Sequence, residues 1–180
     1  MPASYYDRGW LLQPVAWRDA PGRQLVLEPA AIMCAIAGGP VLDVGCGVGH
    51  LGELLDEMRI PYRLGLDTSP VAVSLAQHSV PAVVSHWAQT RRYLAHLHYR
   101  TVALLEVLEH VVDDLGLLAA IPAGRSVVAS VPSIASLGHV RWFGAWAEVK
   151  ARYGALVRIV EVTERKAGES RWWIWRGVRA

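Results

Sequence analysis

Apolar positions along this chain switch between a strand period and a helix period. Val41–Val44 is a short apolar run closed by Gly45, and from His50 to Arg59 the residues Leu51, Leu54, Leu55 and Met58 return at helical spacing, which predicts strand, glycine turn, helix. Tyr62–Asp67 predicts a second strand, followed by a helix that Ser69 can cap and Pro70 can open. Ala82–Ser85, Thr101–Leu105 and Arg125–Val131 add three β-rich runs separated by helical stretches. Strands and helices that alternate in this way predict an α/β fold, a doubly wound parallel sheet with helices on both faces. A helix is expected from about Ser136 to Tyr153. Leu156–Thr163 and Arg171–Val178, joined through Lys166, Ala167 and Gly168, then predict an antiparallel C-terminal hairpin. Upstream, Pro29 is expected to open a helix running to Ala37, while Tyr5 to Leu27 follows neither period.

Length and composition bound this picture. A chain of 180 residues suits one domain, residues 1–180, in which 1–38 act as an N-terminal lid or brace on a core of 39–180. At 53% hydrophobic and 19% charged, the chain carries enough apolar surface to bury a core of its own. The apolar stretch Ala30–Leu42 is interrupted by Gly38, Gly39 and Pro40 and falls short of the roughly 18 residues of a membrane span. The first ten residues hold Asp7 and Arg8 among tyrosines and do not read as a secretory signal, so a cytoplasmic location without a membrane partner is expected. Cys34 and Cys46 fit neither a disulfide framework nor a zinc or redox pair and are expected to be reduced thiols. The net charge of +2 is uneven, because residues 141–180 carry nine Lys or Arg against four Glu. Such a tail would suit a phosphate-bearing partner, but basic residues along terminal strands more often form a solvated face.

The richest stretch is Asp43-Val44-Gly45-Cys46-Gly47-Val48-Gly49. Glycines at alternate positions after a strand let the backbone turn tightly and approach a ligand at a helix N-terminus. Gly47 to Gly52 also fits the dinucleotide pattern G-x-G-x-x-G, so local spacing leaves the cofactor open. Asp67, with Thr68 beside it, ends the second strand about 20 residues on, where a carboxylate can accept from two ribose hydroxyls. Ser85-His86-Trp87 ends the third strand and offers an aromatic ring for an adenine. Leu105-Glu106-Val107-Leu108-Glu109-His110 follows the fourth strand and so emerges at the carboxyl end of the sheet, where ligands of open α/β folds bind.

These stretches, with Gly65-Leu66-Asp67 and Ser130-Val131-Pro132-Ser133, together resemble the ordered motifs of class I S-adenosylmethionine-dependent methyltransferases, from about residue 39 to 140. The resemblance implies a Rossmann-like sheet, S-adenosyl-L-methionine as cofactor, and a cofactor site built from Asp43, Gly45, Cys46, Gly47, Gly49, Asp67, Thr68, His86, Trp87, Leu105 and Glu106. The expected antiparallel hairpin is similar to that family and unlike dehydrogenases, which leaves an NAD-dependent dehydrogenase as the runner-up. This chain departs from the family in having Ser85, His86 and Trp87 where many members carry an acid, in Tyr99-Arg100 before the fourth strand, and in a short segment after the fifth.

A sulfonium methyl donor leaves the protein to orient an acceptor and remove a proton. His110, then His139, are the candidate catalytic bases, since imidazole titrates near neutral pH. On the expected helix after Ser136, His139, Trp142 and Trp146 would share a stripe that could line a substrate pocket, whereas Trp172, Trp173 and Trp175 are read as structural. The reading reached is O-methylation of a small-molecule acceptor. Glu106, Glu109 and His110 could also share a metal ion. That pattern is similar to ubiquinone-biosynthesis O-methyltransferases and to metal-dependent RNA 2′-O-methyltransferases, the latter being the nucleic-acid alternative. A non-catalytic cofactor-binding subunit is the remaining one.

Overall fold

The computed structural model describes residues 3–12 and 23–180. Helix α1 (Ala3–Leu12) comes first; a π-helical turn at Arg23–Leu27 leads into α2 (Glu28–Ala37). The rest alternates as expected: β1 (Val41–Val44), α3 (His50–Glu57), β2 (Tyr62–Asp67), α4 (Pro70–Ala76), β3 (Ala82–Val84), α5 (Trp87–His96), β4 (Thr101–Leu105), α6 (Asp114–Ala119), β5 (Ser126–Pro132), α7 (Trp146–Tyr153), β6 (Val157–Ala167) and β7 (Ser170–Arg179). Seven strands form one sheet in the order β3-β2-β1-β4-β5-β7-β6. Strands β1 to β5 pair in parallel, and β7 runs antiparallel between β5 and β6. The chain winds outward from β1 in both directions, so the crevice between the carboxyl ends of β1 and β4 is the switch point where such sheets bind ligands.

Strand alternation decides which residue faces which layer. Leu42, Val102, Leu104, Val127, Ala129, Trp173 and Trp175 point to the face covered by α5, α6 and α7, where Leu94, Leu117, Val149 and Tyr153 meet them. Val41, Ala103, Val128 and Ile174, one step out of phase, point to the face covered by α2, α3 and the π-turn. Trp175 is fully buried and stacks on Tyr153 with ring centroids 5.8 Å apart. Asp114 ties this layer together: its carboxylate accepts two hydrogen bonds from Arg152 at 2.7 Å and one from the Tyr153 hydroxyl at 2.9 Å.

Two expectations need correction. Part of the Tyr5–Leu27 stretch is regular, as α1 and the π-turn, while residues 13–22 lie outside the described residues. The helix expected from Ser136 forms only over Trp146–Tyr153. Tertiary hydrogen bonds prevail over the apolar period before it: Val140 N–H donates to the Glu109 carbonyl at 2.8 Å and Phe143 N–H to the Pro132 carbonyl at 3.0 Å. Gly138 at φ 93° interrupts any helix there. The stripe of His139, Trp142 and Trp146 therefore does not exist: Trp146 packs against Trp173 and Trp142 is half exposed. No helix among the described residues is long and apolar enough to cross a membrane.

The basic tail is largely engaged within the fold. Arg152 pairs with Asp114, Arg176 pairs with Glu161 at 3.0 Å, and Arg179 donates to the carbonyls of Leu118 and Leu156. Arg141 donates to the carbonyls of Leu108, Val111 and Val112, with its Nε 3.4 Å from Asp114. That single guanidinium fastens the 133–145 loop onto the turn after β4.

Candidate functional site

The glycine turn after β1 is shaped by close approach. Gly45 and Cys46 both donate their N–H groups to the Leu66 carbonyl, at 2.7 and 3.1 Å, which folds the turn back over β2. Gly45, Gly47 and Gly49 have φ of 75°, 53° and 92°, a region that side chains rarely adopt. Space is short as well: a Cβ at Gly45 would stand 2.3 Å from Val107 Cγ2, and one at Gly47 2.7 Å from the Trp10 ring. Gly49 is the N-cap of α3 and faces Val80, so its glycine requirement is one of conformation and packing.

Asp67 receives the Gly47 N–H on one carboxylate oxygen at 2.9 Å and the Ser69 N–H on the other at 2.8 Å. Ser69 caps α4 as expected, its hydroxyl accepting the Ala72 N–H at 3.0 Å. Burial raises the Asp67 pKa, against the backbone amides of Ser69, Gly47 and Thr68 that lower it. Ser69 also donates to Asp7 of α1, and Trp10 of the same helix lies on Gly47, so α1 crosses the turn from above.

A cavity of about 260 Å³ opens at the switch point. Of the predicted cofactor residues, Asp43, Gly45, Cys46, Gly47, Asp67, Thr68, Trp87, Leu105 and Glu106 line it, and so does His110. Gly49 and His86 do not; His86 is exposed at the N-cap of α5, with its ring outside the crevice. Trp10, Val26, Leu27 and Thr90 line the cavity although the sequence reading did not select them. Thr90 had a legible signal, one helical turn after His86. It faces Ser85 across a 2.9 Å hydrogen bond, and this hydroxyl pair stands at the end of β3 where an acid was missing.

The carboxylates around the cavity are desolvated to different ends. Asp43, buried with the Tyr62 hydroxyl 3.2 Å away, has its pKa pushed up to about 7 by burial. Glu106, at φ 55°, accepts from the Ser130 hydroxyl at 2.6 Å and from the Trp172 indole N–H at 3.0 Å, and burial again pushes its pKa up to about 7. Trp172, read from sequence as structural, thus reaches from β7 to the cavity wall and holds an acid. Glu109 is fully buried, and neither of its carboxylate oxygens has a hydrogen-bond partner; burial and the nearby Glu106 raise its pKa strongly.

His110 after β4 and His139 on the loop after β5 meet edge-on with ring centroids 4.9 Å apart. His110 Nδ1 lies 3.0 Å from the Gly138 carbonyl and His139 Nδ1 lies 3.1 Å from the Ile134 carbonyl. Burial lowers the His110 pKa below its ordinary 6.5, which outweighs the Gly138 carbonyl. His139 sits on the loop that Arg141 fastens, and the Val140 N–H bond to the Glu109 carbonyl and the His110 contact with the Gly138 carbonyl join the same two segments. Nothing in the local sequence pattern marks Arg141 for that role.

A family model described as a methyltransferase domain matches residues 17–161 of the chain. Ubiquinone biosynthesis O-methyltransferases of Xanthomonas campestris pv. campestris (strain B100) and Xanthomonas euvesicatoria pv. vesicatoria (strain 85-10) are each 32% identical over 118 residues, covering 58% of this chain and 49% of theirs. The chain spans about half the length of these curated relatives. Among solved structures, magnesium protoporphyrin IX methyltransferase from Synechocystis PCC 6803 with bound SAM has a TM-score of 0.73 at 18% identity, covering 99% of this chain and 95% of its own. An N-methyltransferase from Bradyrhizobium japonicum WM9 with S-adenosyl-l-homocysteine has a TM-score of 0.69 at 16% identity, covering 99% of both chains. At such identities the likeness is one of fold.

Proposed function

We propose, from the premise that this chain belongs to the methyltransferase-domain family, that it transfers the methyl group of S-adenosylmethionine to a hydroxyl of a small molecule. The observation that carries the reading is convergence: the glycine turn after β1, the carboxylate ending β2 and the imidazole after β4 border one cavity at the switch point. The relatives solved with this cofactor or its demethylated product share the fold, and the Xanthomonas relatives are O-methyltransferases, which supports the donor and the acceptor atom in turn.

When bound, the cofactor would supply a sulfonium methyl for transfer to the acceptor oxygen, its carbon–sulfur electron pair remaining on sulfur. The residues of the chain hold and deprotonate. Gly45 and Gly47 would let the backbone come against the methionine part, and Leu105 and Glu106, which line the same cavity, would border its end. Each Asp67 oxygen keeps a lone pair beyond its amide bond, enough for two ribose hydroxyls. Trp87 offers a ring to the adenine, and the Ser85–Thr90 pair offers hydroxyls to its edge. His110, with Nδ1 committed to the Gly138 carbonyl, takes the acceptor proton at Nε2, and His139 is the second base. Exposed Val112, Leu137, Val140 and Trp142 near this end suit an acceptor with an apolar body. Within a single domain of 1–180, the segment 1–38 serves as lid or brace, since α1 carries Trp10 onto the turn.

The test is calorimetry with S-adenosylhomocysteine, S-adenosylmethionine and NAD, followed by methyl-transfer assays on hydroxylated small molecules and short RNAs. Binding of S-adenosylhomocysteine and methylation of a small alcohol or phenol are expected. In His110→Gln, turnover should fall by about 10²–10⁴-fold with cofactor affinity retained. A response to NAD alone, methylation confined to RNA, or cofactor binding without turnover on any acceptor would each overturn the reading.

A further inference from the structure

The hydroxyl pair at the end of β3 holds a proton that the fold leaves unspent. Ser85 and Thr90 are each only 1% exposed, and both line the cavity. Their oxygens stand 2.9 Å apart, and neither hydroxyl takes another partner among the described residues. A hydroxyl has one proton and two lone pairs, so the bond between them uses one proton and one lone pair. The hydroxyl that accepts still has its own proton, and the one that donates still has both lone pairs. Buried polar groups are as a rule hydrogen-bonded, so this remainder points to a ligand.

The order β3-β2-β1-β4 sets which part of a ligand would meet the pair. At a strand spacing of about 4.8 Å, β3 lies roughly 14 Å across the sheet from β4, room for a nucleoside that carries an amino-acid arm. The acids lining the cavity are Asp43 on β1, Asp67 ending β2 and Glu106 after β4, whereas at β3 the lining is Ser85, Trp87 and Thr90. The inference rests on the transfer reading above, in which the arm lies towards Glu106 and the ribose on Asp67; the purine then falls to β3.

We propose that the Ser85–Thr90 pair reads the purine with either polarity, so that this site takes a 6-oxopurine form of the cofactor as well as the 6-aminopurine form. A carboxylate at this place would only accept, so it would hold a 6-amino group and turn a 6-oxo group away. The hydroxyl pair is not bound to one sense. With Ser85 donating to Thr90, Ser85 offers lone pairs and Thr90 a proton; with the bond reversed the offers exchange. Adenine presents a donor at the 6-amino group beside an acceptor at N1, and hypoxanthine presents an acceptor at O6 beside a donor at N1. Turning both hydroxyls converts the match for one base into the match for the other, with no heavy atom displaced and no net proton transfer. Sites built to hydrogen-bond a ligand reject an analogue because a buried group is left unpaired, and here neither base leaves one.

The experiment titrates the full chain calorimetrically with S-adenosylhomocysteine, with S-inosylhomocysteine, in which a 6-oxo group replaces the amino group, and with the analogue that carries hydrogen at position 6. The first two are expected to bind within about threefold of each other, and the third about fivefold or more weakly than either, because it leaves one hydroxyl unmatched. Thr90→Val, nearly isosteric, should weaken both 6-substituted ligands alike. Ser85→Asp should restore discrimination, with S-adenosylhomocysteine favoured by about tenfold or more. Should Ser85→Asp fail to fold, the unaltered chain and Thr90→Val decide. S-inosylhomocysteine bound tenfold or more weakly than S-adenosylhomocysteine by the unaltered chain would overturn the proposal and leave the transfer reading standing, on the scale at which about 1.4 kcal/mol is tenfold. Equal affinity for all three ligands would also overturn it, since the pair would then not touch the base. Binding of none of the three would instead overturn the transfer reading on which it rests.

Discussion

At the scale of single residues, the strongest constraints are on the two glycines that border the cavity and on three acids. Gly45→Ala meets both a positive φ and Val107 Cγ2 at 2.3 Å, so it should destabilise the fold by about 2 kcal/mol or more and abolish S-adenosylhomocysteine binding, checked by chemical denaturation and calorimetry. Asp67→Ala should weaken that binding by about 1 to 3 kcal/mol through lost charge-assisted hydrogen bonds, measured on protein whose far-ultraviolet spectrum is unchanged. Asp43 and Glu106 both have pKa values pushed up to about 7 from 3.8 and 4.5. Between those values the folded chain holds protons that the unfolded chain has released, so their share of stability is full at low pH and falls as pH rises towards 7. Glu106→Gln should flatten part of that decline in melting temperature between pH 4.5 and 7. His110, with its lowered pKa, works in the opposite sense below pH 6.5. For the same reason turnover should rise with pH to a plateau whose midpoint lies below 6.5, and a midpoint above 7 would remove His110 as the base.

At the scale of elements, Arg141 ties the loop of 133–145 to the turn after β4 beside the backbone hydrogen bonds of Val140 and Phe143. Arg141→Ala removes three hydrogen bonds to carbonyls after β4 and one charge beside Asp114, and should cost about 2 to 4 kcal/mol. Amide exchange should quicken at residues 138–143 before it quickens in the sheet. Glycine punctuation and the strand period made β1 to β5 and the hairpin legible, because each strand spends one period-2 phase on each buried face. The 133–145 segment was not legible. It has helical apolar spacing, but its N–H groups find the carbonyl of Pro132 at the end of β5 and that of Glu109, a residue distant in sequence that only the finished sheet brings near. Helix α1 is a second case: its Asp7 and Trp10 find partners in Ser69 and Gly47. Trp10→Ala should weaken S-adenosylhomocysteine binding roughly tenfold by calorimetry, as expected of about 1.4 kcal/mol of lost contact, while leaving the denaturation midpoint of the sheet within experimental scatter.

At the scale of the whole molecule, the order β3-β2-β1-β4-β5-β7-β6 places every predicted motif at one end of the sheet. A ligand bound there stabilises only the folded chain. At a concentration 100 times its dissociation constant, S-adenosylhomocysteine should add about 2.7 kcal/mol, read as a raised thermal midpoint, whereas NAD should add nothing. The sequence by itself determined the alternation of strands and helices, the glycine turn, the acid ending β2 and the polar run after β4, because each is a local pattern of period, turn chemistry or spacing. It also placed His110 at the carboxyl end of the sheet, where it lines the cavity. Tertiary structure alone decided that His86 faces solvent, that Thr90 hydrogen-bonds Ser85 at the cavity, and that Trp172 claims Glu106. It likewise decided that His139 joins Glu109 and His110. These outcomes turn on which groups compete for a hydrogen bond or a charge once distant segments meet. Spacing along the chain fixes local geometry, but the winner of such a competition is set by burial, where an unsatisfied polar group costs most.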